Sequence, residues 1–267
     1  MLSAASLEGL EAFLIDLNRA SARLILPLFR GEHGLEDKGG SAGFDPVTMA
    51  DKGAEEAIRA LIARRYPDHG VIGEEHGEDR PEAEFVWVID PIDGTRAFIA
   101  GLPLWTTLIG LRHEGAPVLG SIGQPFLGEI FIGSGAGSRL IATDGERRLA
   151  ARTGTPLAHA IIATTDPEGC FDRSEMAAWR ALRRASRLAR LGCDAYAYAM
   201  VAAGRLDLVV EAGLKCWDID AAIPVIAGAG GAVSDWTGAP VGDKGGRVAI
   251  AGDLPLLEAA LAAMAAP

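Results

Sequence analysis

Leu7, Leu10, Phe13, Leu14, Leu17, Leu24 and Leu28 recur at three- and four-residue spacing, which predicts an amphipathic helix over residues 6–29 with Ser6 as its N-cap. A second helix is expected over residues 48–65. It buries Ala54, Ile58, Leu61 and Ile62 and is closed by Pro67 and Gly70. The stretch between them, residues 31–46, is rich in glycine and charge and reads as a mobile loop. Val71-Ile72-Gly73 reads as a short strand. Phe85-Val86-Trp87-Val88-Ile89 is almost wholly apolar, as a strand buried on both faces would be. Strands at 106–112, 117–124 and 129–133, parted by glycine turns, predict an antiparallel meander.

The pattern then changes. A strand at 161–164, a helix at 174–184, an Ala-rich helix at 195–203 and a strand at 206–211 are expected. A helix over 219–229 tolerates Pro224 and stops at Gly230-Gly231. A strand at 247–251 and a helix at 254–263 close the chain. No internal repeat is visible. This order predicts mixed α and β, with sheets covered by helices. It divides into a half at 1–140 and a half at 141–267, packed as one unit.

Composition narrows the function. The 267 residues suffice for a large core, since chains of this size bury roughly three quarters of their unfolded surface. A net charge of -11 argues against nucleic acid, which calls for a basic stripe. Cys170, Cys193 and Cys216 lack the spacing of a zinc site or a disulfide framework, and the five histidines lack the close pairing of common zinc motifs. There is no signal-peptide pattern and no apolar run of about 20 residues, so no membrane association is expected and the compartment is read as cytoplasmic.

The chemistry concentrates in Asp90-Pro91-Ile92-Asp93-Gly94-Thr95, where an apolar strand delivers two carboxylates, three residues apart, into a tight turn. Held that close, ionised carboxylates repel unless a cation compensates them. The Ile92 carbonyl adds an uncharged oxygen of the kind hard cations accept. Gly94 and Thr95 open a helix whose backbone N–H groups suit a phosphate. Read alone, Asp93-Gly94 is also a common turn former, Glu74-Glu75 an acidic surface turn, Thr48-x-x-Asp51 a capping box, and Asp218 an N-cap.

Taken together, the segment Val88–Thr95 resembles the first signature of the inositol monophosphatase family of lithium-sensitive phosphatases. Ile72-Gly73-Glu74-Glu75 is similar to that family's G-E-E segment. Cys216-Trp217-Asp218 with Ala229-Gly230-Gly231 resembles its second signature, and Thr48-Met49-Ala50-Asp51 its T-x-x-D. The resemblance spans nearly the whole chain. It implies an α/β (α+β) layered sandwich of the inositol monophosphatase/fructose-1,6-bisphosphatase type, a homodimer, and two or three Mg2+ ions per active site. It also implies lithium inhibition and hydrolysis of a small phosphorylated metabolite. One metal would be held by Glu74, Asp90 and the Ile92 carbonyl, and another by Asp90, Asp93 and Asp218. Thr95, paired with Asp51, would orient or deprotonate the attacking water together with Glu74, and Gly94 and Thr95 would bind phosphate.

Arg190, Gly192, Asp194 and Glu211, with Asp93, are the expected substrate contacts. Gly192-Cys193-Asp194-Ala195-Tyr196-Ala197-Tyr198 resembles the G-x-D-x-Y-A-Y run of the histidinol-phosphatase branch, while inositol-specific members are similar to G-T-A-A there. A carboxylate at 194 suits a cationic substrate, here L-histidinol phosphate in histidine biosynthesis. Its other reading is a cap for the 195–203 helix. Cys216-Trp217 is closer to the inositol phosphatases, so inositol 1-phosphate or a broader set of monoesters is the alternative. A metal-binding scaffold without turnover is the reading from another class.

Overall fold

The computed structural model describes residues 4–31, 35–37 and 46–265. The first helix, α1 (Ala4–Ile25), begins before Ser6, so Ser6 is not its cap, and it ends two residues ahead of Pro27. It buries Leu10, Leu14 and Leu17 but leaves Leu24 exposed. Within the expected loop, β1 (Leu35–Asp37) pairs with β2 (Pro46–Thr48); the rest of that expectation lies outside the described residues. Helix α2 (Met49–Arg65) buries Ala54, Ile58 and Ile62 as expected, together with Asp51 and Glu55.

An eight-stranded sheet follows: β3 (Gly70–Gly73), β4 (Gly77–Asp79), β5 (Phe85–Asp93), then, after the short α3 (Thr95–Ile99), β6 (Thr106–His113), β7 (Ala116–Gln124), β8 (Glu129–Ser134), β9 (Gly137–Ala142) and β10 (Gly145–Arg148). Its order is β10-β9-β8-β7-β6-β5-β3-β4; β3 runs parallel to β5 and every other pair is antiparallel. The meander runs two strands beyond the expected three, and the last of them, Gly145–Arg148, carries no buried residue to mark it.

The remaining chain supplies β11 (Ile161–Thr164), α4 (Pro167–Cys170), α5 (Arg173–Ala185), β12 (Leu188–Leu191), α6 (Tyr196–Ala202), β13 (Leu208–Leu214), α7 (Cys216–Ile219), α8 (Ala222–Gly228), β14 (Ala232–Ser234), β15 (Gly246–Ala251) and α9 (Leu254–Ala265). Its five strands order as β12-β11-β13-β15-β14. The single helix expected over 219–229 is two, broken at Asp220-Ala221 and begun earlier, at Cys216.

Strand alternation builds the layers. In β6, Ile109 and Leu111 turn toward Leu14 and Leu17 of α1 and Ile58 and Ile62 of α2. Leu108 turns the other way, joining α6 and α8 in a core shared with Val209, Val248 and Ile250 of the second sheet. Leu208, Val210, Ala249 and Ala251 face outward onto Trp179 and Leu182 of α5 and Leu256 and Leu257 of α9. The result is a mixed α/β stack in which helical layers alternate with two sheets. Each fully buried large apolar side chain contributes about 2 kcal/mol to this packing.

One feature of the sheet governs where the acidic residues meet. Gly110, Gly120 and Gly133 are register partners across β6, β7 and β8. A Cβ on Gly120 would lie 2.1 Å from the Ala221 carbonyl oxygen, and one on Gly133 would lie 2.5 Å from Val225 Cα. This bare row lets the Asp220–Val225 backbone lie directly on the sheet and carries α7 up to the end of β5.

Candidate active site

The site forms where β5 ends. Alternation along β5 sends Trp87 and Ile89 to the outer helices, while Val86 and Val88 pack on Cys216 and Trp217 of α7. Asp90 belongs to the second set and pairs with Leu108, so it faces α7. Asp93, an odd number of residues on, would face away in a regular strand. Pro91 cannot donate to the ladder, and the register shifts so that Asp93 pairs with Thr106; three steps on β5 span two on β6. This bulge returns Asp93 to the face of Asp90 and sends Ile92 to the opposite one, among Ile25, Phe98 and Trp105. The Thr107 hydroxyl fixes the bulge by donating to the Pro91 carbonyl at 2.7 Å.

Gly94 then takes a left-handed conformation (φ 82°, ψ 40°) and opens α3. The Thr95 hydroxyl donates to the Ile92 carbonyl at 3.1 Å, and a carbonyl oxygen has a second lone pair to offer. From the other half of the chain, Asp218 sits in the first turn of α7 and accepts the Lys215 N–H at 2.6 Å. Asp90, Asp93 and Asp218 each present an oxygen within 4.8 Å of the other two. Behind them, Arg112 of β6 forms a buried ion pair with Asp220 and donates to the Asp243 carbonyl at 2.9 Å, anchoring α7.

Burial pushes Asp90 well above the usual carboxylate range, and the charges of Glu74, Asp93, Asp218 and Asp51 push it further. Asp93 is raised by burial and then by Asp194 and Asp218, against the Ala195 N–H, which donates to its Oδ2 at 2.7 Å. Burial lifts Asp218 to about 6. Asp90 Oδ1 is buried with no hydrogen-bond partner. A converging set of buried carboxylates with an orphaned oxygen is strained as bare protein and is relieved by a hard, oxygen-seeking cation. The donor set fits a divalent metal.

Beside this cluster, Gly192 (φ 73°) and Asp194 (φ 45°) both turn left-handed and fold residues 192–195 onto the end of β5. A Cβ on Gly94 would lie 3.0 Å from Asp194 Cγ, so the Asp194 side chain rests directly on Gly94. The Asp194 carbonyl, rather than a side-chain cap, receives the N–H of Ala197 at the start of α6. Burial raises Asp194 to about 6, opposed by Arg96. Glu211 on β13 accepts from the Thr165 hydroxyl at 2.9 Å and the Thr164 hydroxyl at 3.2 Å; burial raises it to about 7 in spite of them. Tyr198 is buried beside all of these groups: after burial, the charges of Glu211, Asp93, Asp218 and Asp194 raise its phenol.

Residues 6–266 match the model of the inositol monophosphatase family. The chain belongs to that family. An inositol monophosphatase from Zymomonas mobilis has the same fold, with a TM-score of 0.87 and 38% identity, covering 99% of this chain and 100% of that one. The chloroplastic bifunctional phosphatase IMPL2 of Arabidopsis thaliana is 41% identical over 240 residues, 89% of this chain and 67% of its own. A histidinol-phosphatase of Chlorobaculum parvum is 37% identical over 194 residues, 72% of this chain and 73% of its own.

Within this inositol monophosphatase family chain, the tertiary structure gathers Asp90, Asp93, Asp218, Asp194 and Gly94 at one point. Glu74 lies outside the tight group of three yet is the charge that bears most on Asp90. Asp51 is buried on α2, near enough to act on Asp90 as well. Arg190 is exposed on β12, at the edge of the second sheet, and acts on Cys193, the residue before Asp194. Three residues carry no sequence signal of their own. Tyr198 lies inside a longer motif. Arg112 lies in a strand whose apolar run masks it. Glu55 has the look of an ordinary helix surface charge. Among the described residues no helix is long and apolar enough to cross a membrane.

Proposed function

We propose that this phosphatase is a Mg2+-dependent phosphomonoesterase acting on L-histidinol phosphate. The observation that carries the substrate reading is the Asp194 carboxylate lying on Gly94, beside the Asp90–Asp93–Asp218 group, with Glu211 near enough to be raised by its charge. Two carboxylates next to the place where a phosphate ester would be cleaved suit a leaving group that carries an ammonium and an imidazole. The likeness to a histidinol-phosphatase supports the same reading.

In this reading Glu74, Asp90 and the Ile92 carbonyl would hold one Mg2+, and Asp90, Asp93 and Asp218 would hold another; bound there, the ions would supply Lewis-acid stabilisation of developing negative charge. Thr95 orients the water that attacks phosphorus, and its hydroxyl would pass its own proton to the Asp51 carboxylate as it takes one from that water. The N–H groups at Gly94 and Thr95 donate to the phosphate oxygens. Asp194 and Glu211 bind the cationic end of the alcohol and align its C–O–P bond. Tyr198 walls the pocket on the side of α6 and keeps water from the two acids.

The test is phosphate release with Mg2+ from L-histidinol phosphate and inositol 1-phosphate at matched concentrations. We expect kcat/KM to favour histidinol phosphate by at least tenfold, and Asp194→Ala to erase most of that preference while turnover of a generic monoester persists. Equal or reversed preference would leave the phosphatase but remove this substrate. The likeness to an inositol monophosphatase makes inositol phosphate the second reading. No hydrolysis of any ester would instead favour a metal-binding scaffold.

A further inference from the structure

The Glu74 turn is held from below by one face of α2. Glu55 is fully buried in that helix. Its carboxylate accepts the backbone N–H of Glu75 at 2.8 Å, the backbone N–H of His76 at 3.2 Å, and Arg59 Nε at 2.7 Å. Arg59 in turn donates to the Gly77 carbonyl, and His76 Nε2 lies 3.3 Å from the Lys52 carbonyl. Positions 52, 55 and 59 follow one another at helical spacing, so a single face of α2 grips every residue from 75 to 77. On the other side, the Glu74 N–H donates to the Ile89 carbonyl at 3.2 Å, tying the turn to β5 one residue before Asp90.

Gly73 is what allows this. A Cβ there would sit 2.1 Å from Glu55 Oε1, so any other residue would push the carboxylate off the turn. Burying a carboxylate costs free energy unless it is well hydrogen-bonded, and here three N–H donors converge on it. Two of these donors are the backbone amides of Glu75 and His76, which set where the Glu74 side chain begins.

We propose that Glu55 is a positioning residue for Glu74: it fixes the turn so that the Glu74 carboxylate is aimed at Asp90 and at the cation they share. This rests on the reading of Glu74 as a metal ligand. Groups that orient ligands commonly change metal affinity by 10–100-fold when removed. Glu55→Gln keeps the size of the side chain but turns an N–H2 toward donors, which releases the turn.

The test is a double-mutant cycle read by Mg2+ calorimetry on the folded, chelator-treated protein, with melting curves in EDTA as the control for folding. Glu74→Gln should weaken Mg2+ binding strongly. Glu55→Gln should weaken it about tenfold, and by less than twofold more when added to Glu74→Gln, because it acts through that side chain. Affinity within twofold of wild type in Glu55→Gln overturns the proposal. So does an equal loss in both backgrounds, the mark of a merely structural role. If Glu74→Gln itself leaves Mg2+ binding unchanged, the ligand reading falls first and the proposal with it, a result distinguishable from failure of Glu55 alone. Should Glu55→Gln not fold, Arg59→Gln takes its place in the cycle: a loss of about threefold that vanishes in the Glu74→Gln background supports the proposal, and unchanged affinity overturns it.

Discussion

Asp90 carries a heavy electrostatic load: it is buried, one of its oxygens has no partner, and four other acids raise its pKa. Asp90→Asn should therefore stabilise the metal-free protein at pH 8 by about 1 kcal/mol, the usual size of a gain from relieving a functional site. Phosphate release should meanwhile fall to background; thermal melts and assays on the same preparation would check both, and a destabilised variant would contradict the account. Arg112 behaves oppositely. Its removal strands a buried Asp220, and breaking a buried pair costs about 3–5 kcal/mol. Denaturant unfolding of Arg112→Met should show a loss of that order, with part of it recovered in the double variant that also carries Asp220→Asn. Of these roles, the sequence marked Asp90 through its motif. It could not mark Arg112, whose partner lies 108 residues away.

The site depends on two departures from regular elements. The bulge in β5 puts Asp90 and Asp93 on one face, and the bare glycine row of β6–β8 admits α7 and α8. Gly120→Ala adds a methyl group 2.1 Å from the Ala221 carbonyl, where backbone must give way. We expect a stability loss of about 3 kcal/mol and a matching drop in Mg2+ affinity, because α7 moves with Asp218; measured affinity equal to wild type would mean α7 is seated by other contacts. The sequence places a turn after Asp90, whereas β5 continues through a bulge to Asp93; the D-x-x-D spacing announced only that two carboxylates lie close. That they share a face follows only from the register against β6.

At the scale of the molecule, the acids couple folding to pH and metal. Asp218 at about 6 and Glu211 at about 7 lie above the ordinary value of about 4 for an unfolded carboxylate. Between those values the folded state binds more protons than the unfolded one, so stability of the metal-free protein falls as pH rises from about 4 through 7. Mg2+ binds the deprotonated acids, so its affinity should rise across the same range and its addition should restore the lost stability, by about 2.7 kcal/mol per site at a hundredfold excess over Kd. Melting curves at pH 5.5 and 7.5, with EDTA or with Mg2+, would show it; an EDTA curve that is higher at pH 7.5 would refute the assignment. The sequence by itself determined the mixed α/β character, the buried strand Phe85–Ile89 and the acids of its two signatures, because periodicity, turn chemistry and short motifs are local. Only the tertiary structure decided that Glu55 is buried, that one expected helix is two, and that Asp194 rests on Gly94. Each of those depends on which distant backbone approaches a side chain, and local pattern carries no record of that.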